Sequence, residues 1–201
     1  DDPVATARTH MEEGTQAQAV GKPAVAIKKY RIANMLLEGR AEIELFVEAT
    51  LNLAELCVFH DYPETAASLI NDMIKLAKRT RKNPAKIEGR ARLLAGYLSD
   101  IRNDLKGALA EYEHALTLLK AEGHHALCQE ASDLVGSTCW RLNNQQDAIT
   151  HFQNAIEFAT KAEQEDSEKS ATIWDVIRKG LENKIQRARG NVADSGIEKV
   201  A

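Results

Sequence analysis

Residues 148–156 read AITHFQNAI, and this stretch decides the fold. In a helix, Ala148, Phe152 and Ala155 lie on one face, so that a large ring stands between two small side chains. The same arrangement, with a weaker match, recurs three times upstream at intervals of 40 to 42 residues. The opening alanines of these copies are Ala26, Ala66 and Ala108. A pattern with this period predicts a repeat protein.

A small residue also stands twelve positions before each opening alanine. These residues are Gly14, Ala54, Gly96 and Gly136. Because only a small side chain lets two helices approach closely, we expect each to lie where a helix meets its partner. Turn-forming residues separate the two markers at Gly21-Lys22-Pro23, Asp61-Tyr62-Pro63, Asn103-Asp104 and Asn143-Asn144. The sequence therefore predicts four antiparallel helix pairs.

The composition favours helix over sheet. Aromatic residues make up 5% of the chain and there are 4 prolines, whereas alanine, leucine, glutamate and lysine abound. Strand-like alternation of β-branched residues is missing. The formal net charge of −4 argues against an obligate nucleic-acid binder, which usually carries a strongly basic surface. We predict an all-α protein.

The cysteines indicate a reducing compartment. Cys57, Cys128 and Cys139 are odd in number and lack the spacing of a disulfide framework, so we expect three buried thiols in a cytoplasmic protein. No apolar run approaches the ~20 residues of a membrane span, and no secretory segment is present. The chain opens at Asp1 rather than at Met, which leaves open a removed targeting segment or a missing domain.

A further helix is predicted after the fourth pair. Asp166 or Ser167 is suited to cap a helix over residues 167–189. Ile173, Ile177, Leu181 and Ile185 follow one another at a four-residue spacing in this segment, with Trp174 beside them. One apolar stripe with a charged remainder suits a helix that closes the end of a stack. Residues 191–201 lack periodicity and are predicted to be a flexible tail.

The chain resembles the tetratricopeptide repeat family over residues 8–161, most closely in the last two pairs. That family's motif places Trp, Leu, Gly and Tyr on the first helix of a pair and Ala, Phe and Ala on the second. Here the Trp position holds His10, Thr50, Arg92 and Ser132, the closing Pro is absent, and the period exceeds the usual ~34 residues. The longer period is similar to that of kinesin light chains and bacterial signalling regulators.

The resemblance implies a right-handed superhelix of four antiparallel helix pairs with a C-terminal capping helix. Its repeats would span about 7–40, 47–80, 89–122 and 129–162, within one domain over 1–190. The first helices of successive pairs would line a concave groove. The groove residues expected to bind a partner are Arg8, Met11, Glu55, Arg90, Tyr97, Asp133 and Trp140, with Arg141 at the rim. Further groove positions are Thr15, Glu48, Leu51, Leu93, Glu130 and Ser137.

Two aromatic rings are the expected anchors of a partner. Tyr97 and Trp140 are large amphipathic side chains at positions that the packing of their own pair does not require. An alternative for Trp140 is packing against Trp174 beneath the closing helix. Some family members bind a C-terminal carboxylate through a Lys-Asn clamp, but Met11 and Thr15 hold the corresponding positions, which disfavours that class of partner.

Charge is unevenly distributed along the chain. Residues 75–92 carry a net charge of +7, and residues 36–66 carry −6. One interpretation is a solvated surface with ion pairs between neighbouring helix pairs. The other is a bipolar surface that orients a charged partner. The basic segment lacks the interleaved aromatic residues that stack on nucleic-acid bases, which disfavours nucleic acid.

No residue pattern predicts catalysis, a cofactor or a metal site. His124, His125 and Cys128 lie close together, but no closing ligand pair is suitably spaced, so we expect exposed histidines and a buried thiol. Cys57 and Cys139 share one inward-facing position and are expected to be unreactive. The chain has no phosphate-binding glycine loop, serine elbow or HExxH motif.

The leading hypothesis is a non-catalytic scaffold or adaptor that binds a peptide or helical segment of a partner protein in the groove. The alternative is a regulatory or sensor module that controls an effector domain in signalling or transcription. The sequence leaves the partner, the pathway and the oligomeric state open.

Overall fold

The computed structural model describes residues 2–165 and 171–197, which form nine α-helices and no strand. The helices are α1 (Pro3–Ala19), α2 (Pro23–Leu37), α3 (Ile43–Phe59), α4 (Pro63–Ala77), α5 (Pro84–Ile101), α6 (Leu105–Ala121), α7 (His125–Arg141), α8 (Gln145–Glu165) and α9 (Ala171–Ile197). The prediction of an all-α helical repeat fold is confirmed. Within the described residues, no helix is both long enough and apolar enough to cross a membrane.

The chain divides into two compact units, Asp1–Leu98 and Ser99–Ala201, with the division near the end of α5. In the first unit, α1 to α4 pack consecutively. The start of α5 adds Ile87, Ala91 and Leu94 to the same core. In the second unit, α6 to α9 pack consecutively. The single domain over 1–190 stays a prediction.

Each first helix of a pair ends in the same left-handed turn. Gly21, Asp61, Asn103 and Asn143 have φ angles of 69°, 65°, 61° and 60°. The next residue donates its N–H to the carbonyl five positions back, over 2.8 Å from Lys22 to Ala17 and 3.0 Å from Tyr62 to Cys57. This hydrogen bond closes a Schellman motif, which reverses the chain within three residues. The predicted turn residues are therefore confirmed, and each lets the next helix start antiparallel to the last.

The predicted close approach of paired helices is confirmed at two glycines. A Cβ atom built on Gly14 would lie 3.0 Å from the Tyr30 ring, and one on Gly136 would lie 2.8 Å from the Phe152 ring. Both rings are fully buried. In the second pair, Ala54 and Ile70 hold the equivalent positions, and both are buried. Where the first helix carries Ala54 instead of a glycine, the second helix therefore carries Ile70 instead of a larger aromatic ring.

The closing helix α9 packs on α8. Trp174, 1% exposed, packs with Ala159 and Ala162, and Arg178 forms an ion pair of 2.7 Å with Glu163. Leu181, Ile185 and Ala188 complete the buried stripe. The predicted N-cap at Asp166 or Ser167 and residues 198–201 of the predicted tail lie outside the described residues.

The apolar stripe of α9 differs from the predicted one at its start. Ile173 is 48% exposed, and Trp174 takes the buried position instead. A four-residue step turns a helix about 40° beyond a full turn, so three such steps carry Ile173 well away from the face that holds Ile185. The helix also continues to Ile197, past the end that we predicted at residue 189.

Replacing Gly136 with Ala should destabilise the protein by about 1–2 kcal/mol net, because overpacking outweighs the better helix propensity of alanine. Urea unfolding monitored by circular dichroism measures this cost. In a Phe152→Ile background, which reproduces the Ala54–Ile70 combination, the same change should cost little.

Gly180→Ala is the matched control, since no atom of another described element lies within 4 Å of a Cβ built there. That variant should be as stable as the wild type or slightly more stable. A Gly136→Ala protein that matched the Gly180→Ala protein in stability would contradict the close approach.

Replacing Asn143 with Ala should cost about 1 kcal/mol of unfolding free energy, because alanine is strained at positive φ. Asn143→Gly should keep or raise the stability. Thermal unfolding of both variants checks the turn, with Gln153→Ala at an exposed site on α8 as control. Equal stability of the Ala and Gly variants would argue against the left-handed conformation.

Candidate partner-binding surface

A first concavity lies on the first-helix surface between α1 and α3. Its volume is about 210 Å³. Its lining residues are Arg8, Met11, Glu12, Thr15, Leu45, Glu48 and Asn52. Four of the residues that we predicted to line the groove are therefore together here, namely Arg8, Met11, Thr15 and Glu48. Sequence reasoning missed Glu12, Leu45 and Asn52. Leu45 and Asn52 follow from the helical spacing around Glu48.

The α1 side of this concavity is held by the packing beneath it. Met11 is 8% exposed and belongs to the core of the first unit. The Thr15 hydroxyl lies 2.9 Å from the Tyr30 hydroxyl, which donates a hydrogen bond of 2.9 Å to Gln18 Oε1. The same Tyr30 ring fills the space over Gly14. The Tyr30 side chain that packs α2 against α1 therefore also holds Thr15, a residue of the concavity, in place.

A second concavity lies between α3 and the start of α5, with a volume of about 320 Å³. Its apolar floor consists of Ile43, Val47 and Ile87. Its acidic wall consists of Glu44 and Glu48, and its basic wall consists of Lys82, Lys86 and Arg90. Glu48 lines both concavities, so the two are neighbours along α3. The predicted groove residue Arg90 is part of the basic wall.

Neither charged wall is neutralised within the described part of the chain. None of the five charged residues forms an ion pair with a described residue. By contrast, Arg92 and Glu88, one helical turn apart, pair at 2.7 Å with side chains only 16% and 15% exposed. These five residues therefore do not form the ion pairs between neighbouring helix pairs that we considered, as far as the described residues go. This observation favours the bipolar surface over the internally paired one.

Four other predicted groove residues of the first unit lie elsewhere. Leu51 and Leu93 are buried in the protein interior, so the prediction that they line the groove is wrong. Glu55 is exposed on α3. Tyr97 is half-buried, and its ring packs edge-to-face on Phe59 with 5.3 Å between centroids and 66° between planes. Phe59 itself is 50% exposed. Tyr97 therefore contributes to the packing of α5 on the end of α3, and its role as an anchor stays a prediction.

Three predicted groove residues of the second unit, Asp133, Ser137 and Arg141, contact other side chains of the same unit. Asp133 forms an ion pair with Lys184 of α9, whose ammonium also lies 3.5 Å from the Ser137 hydroxyl. Arg141 forms an ion pair with Asp100. Trp140 is half-buried on α7, and its packing against Trp174 stays a prediction. Partner binding by Asp133, Trp140 and Arg141 stays a prediction.

The histidine cluster has a structural role. His125 Nδ1 lies 2.7 Å from Glu165 Oε1, and its ring stacks on Phe158 at 6.2 Å. His124 and His125 side chains are each 24% exposed, so they are half-buried rather than exposed as predicted, because α8 runs alongside them. No three His, Cys, Asp or Glu residues form a metal-binding group within residues 2–165 and 171–197.

The three cysteines are free and buried, as expected. Burial raises the pKa of the Cys128 thiol to about 11. Burial also raises the pKa of Cys57, and the pKa of Cys139 is raised by burial and then by Asp147 and Glu113. A raised pKa removes the thiolate, which is the reactive form. These positions therefore suit packing and do not suit nucleophilic chemistry.

At pH 8, about one Cys128 thiol in a thousand is ionised, compared with about a quarter of unperturbed thiols. We expect iodoacetamide to alkylate Cys128 at least about 100-fold more slowly in the folded protein than in urea. Mass spectrometry of timed aliquots measures the rate. Labelling of all three thiols in urea is the control, and rapid labelling of folded protein would contradict the burial.

Comparisons with known proteins support the fold alone. No family model and no curated protein matches the chain. The apo form of RapI is similar in structure, with a TM-score of 0.72, 16% sequence identity and coverage of 95% of this chain. The chain spans 65% of the length of RapI. The MamA protein is similar with a TM-score of 0.50 and 14% identity, over 98% of this chain and 97% of MamA. The chain thus has a tetratricopeptide-like helical repeat fold.

Proposed function

We propose that this chain is a non-catalytic scaffold or adaptor that binds a peptide or helical segment of a partner protein on its first-helix surface. The observation that carries the proposal is the concavity between α1 and α3. It brings four predicted groove residues together, although they are up to 40 positions apart in the sequence. Helical repeat folds commonly use such surfaces to bind extended segments of other chains.

The chemistry of this concavity suits a protein segment. Met11 and Leu45 offer apolar contacts below, while Arg8, Glu48 and Asn52 offer charge and hydrogen bonds above. Apolar contacts surrounded by polar ones are the usual composition of a binding surface. Arg8 and Glu48 form no ion pair with a described residue, so both are available to a partner. A partner of mixed charge with at least one apolar side chain fits best.

A regulatory module is the second candidate. The solved RapI structure is that of its apo form, a word that implies a ligand-bound counterpart. In a repeat array, a ligand that binds one curvature better than another shifts the population toward it. Such a module would control an effector domain in signalling or transcription. A conformational response of the full-length protein to its bound peptide would separate this candidate from a static scaffold.

The buried reduced cysteines agree with a cytoplasmic location, which we retain as part of the proposal. We propose no cofactor and no membrane or nucleic-acid partner.

Reversing both charges of the first concavity, in an Arg8→Glu/Glu48→Lys variant, should weaken partner binding about tenfold or more. The reason is that each reversed charge repels the group that it previously attracted. Photo-crosslinking from benzoylphenylalanine at Asn52, followed by mass spectrometry, identifies and quantifies the bound partner in a lysate of the source cells.

The control variant is Lys28→Glu/Glu157→Lys, which has the same net charge and alters two exposed residues on second helices. Its crosslinks should equal those of the wild type. If both variants gave the same crosslinks, while circular dichroism showed both folded, the surface would be assigned wrongly. If no protein crosslinked from Asn52 at all, the proposed function would be rejected.

A further inference from the structure

We infer that the concavity between α3 and α5 binds a short segment of a partner chain that carries an acidic side chain and a basic side chain on either side of an aliphatic one. The inference rests on the proposed function, because it names the chemistry of the segment that this surface takes. It concerns the second concavity, whereas the proposed function rests on the first.

The charges of the two walls require an occupant of both signs. Glu44 and Glu48 lie on one side of the space, and Lys82, Lys86 and Arg90 lie around the other. The opposite charges share one concavity without pairing, so each wall keeps its full ability to attract a counter-charge. An acidic group of the ligand would bind the basic wall, and a basic group would bind the acidic wall.

The floor defines the residue between these charges. Val47 and Ile87 are 7% and 6% exposed, and half-buried Ile43 lies beside them. These three β-branched aliphatic side chains belong to or pack on the core of the first unit, so the floor is fixed in place. An aliphatic side chain of the ligand would lose water against this floor, while its charged neighbours stay at the solvent-exposed walls.

The size of the concavity limits the length of the segment. A volume of about 320 Å³ is at the lower end of the range for ligand pockets. It has room for a few side chains of an extended segment. The order of the walls also fixes the direction of binding, since a reversed ligand would place like charges together.

The same features argue against nucleic acid as the occupant. The acidic wall would repel a phosphate backbone that the basic wall attracts. The lining residues include no aromatic ring on which a base could stack. The excess of basic residues between 75 and 92 is therefore best explained by attraction of an acidic side chain within a protein segment.

Three blocked pentapeptides serve as probes. Their central sequences are Glu-Leu-Lys, Glu-Leu-Glu and Lys-Leu-Lys, each flanked by glycine. Titration into isotope-labelled full chain at low salt, followed by amide NMR shifts, measures the affinity and locates the site. We expect the mixed peptide to bind about fivefold more tightly than either single-sign peptide, with shifts at residues 43–48 and 82–90.

Two variants should change the relative affinity for the acidic and the basic peptide in opposite directions. Glu44→Gln should favour the acidic peptide, and Lys82→Gln/Lys86→Gln should favour the basic one. Glu44 is chosen because Glu48 also lines the first concavity. Opposite shifts in preference cannot arise from loss of folding, since each variant would still bind one peptide at least as well as the wild type does.

The inference would be overturned by equal binding of the three peptides, by absence of binding at millimolar concentration, or by shifts confined to α1. Tighter binding of a short DNA duplex, with a steep dependence on salt, would assign the basic wall to nucleic acid instead. Unchanged crosslinking from Asn52 alongside any of these results would leave the proposed function standing. Loss of crosslinking with a preserved peptide preference would reject the proposed function alone.

Discussion

The structure depends on one contact, the packing of a large side chain of the second helix against a residue with little or no side chain on the first. At Gly136 the Phe152 ring occupies the space that a Cβ would need, and at Gly14 the Tyr30 ring does the same. This contact sets the distance between paired helices. In the first pair it also places the Tyr30 hydroxyl beside Thr15, so the packing between helices reaches the surface that we propose binds a partner. The core contact and the candidate site are therefore not independent.

The same surface combines apolar support with charges that have no ion-pair partner among the described residues. Other charged residues form ion pairs, either within one helix, as Arg92 does with Glu88, or between helices, as Arg178 does with Glu163. The walls between α3 and α5 do not, and they are separated by the floor of Ile43, Val47 and Ile87. Exposed charges that are merely solvated need no such arrangement. The two oppositely charged walls attract a segment that carries both charges, and their positions on either side of a fixed apolar floor set the orientation of that segment. Both effects help the surface to distinguish one segment from others.

The helix pairs could be predicted from sequence because their determinants are local. A small and a large residue at fixed spacing, together with Asn103 or Asn143 at a left-handed position, act over a single turn or a single pair. Other features depend on distant residues. Tyr97 packs on Phe59, and the charge run at 75–92 forms a wall only because α5 starts beside α3. In α9 the four-residue spacing suggested a stripe through Ile173, but the rotation of a helix with 3.6 residues per turn put Trp174 there instead.

The left-handed turns have consequences for how such a chain folds and for how its sequence evolves. Each turn is closed by a hydrogen bond between residues only five apart, such as Asn144 to Cys139 at 2.9 Å, so a pair can form from neighbouring sequence before the stack is complete. Contacts of low sequence separation favour rapid folding. They also make the pair a transferable segment: duplication or deletion of about 40 residues would add or remove one complete hairpin without breaking any other. The weak similarity among the four copies is what such a history, followed by divergence of the surface, would leave.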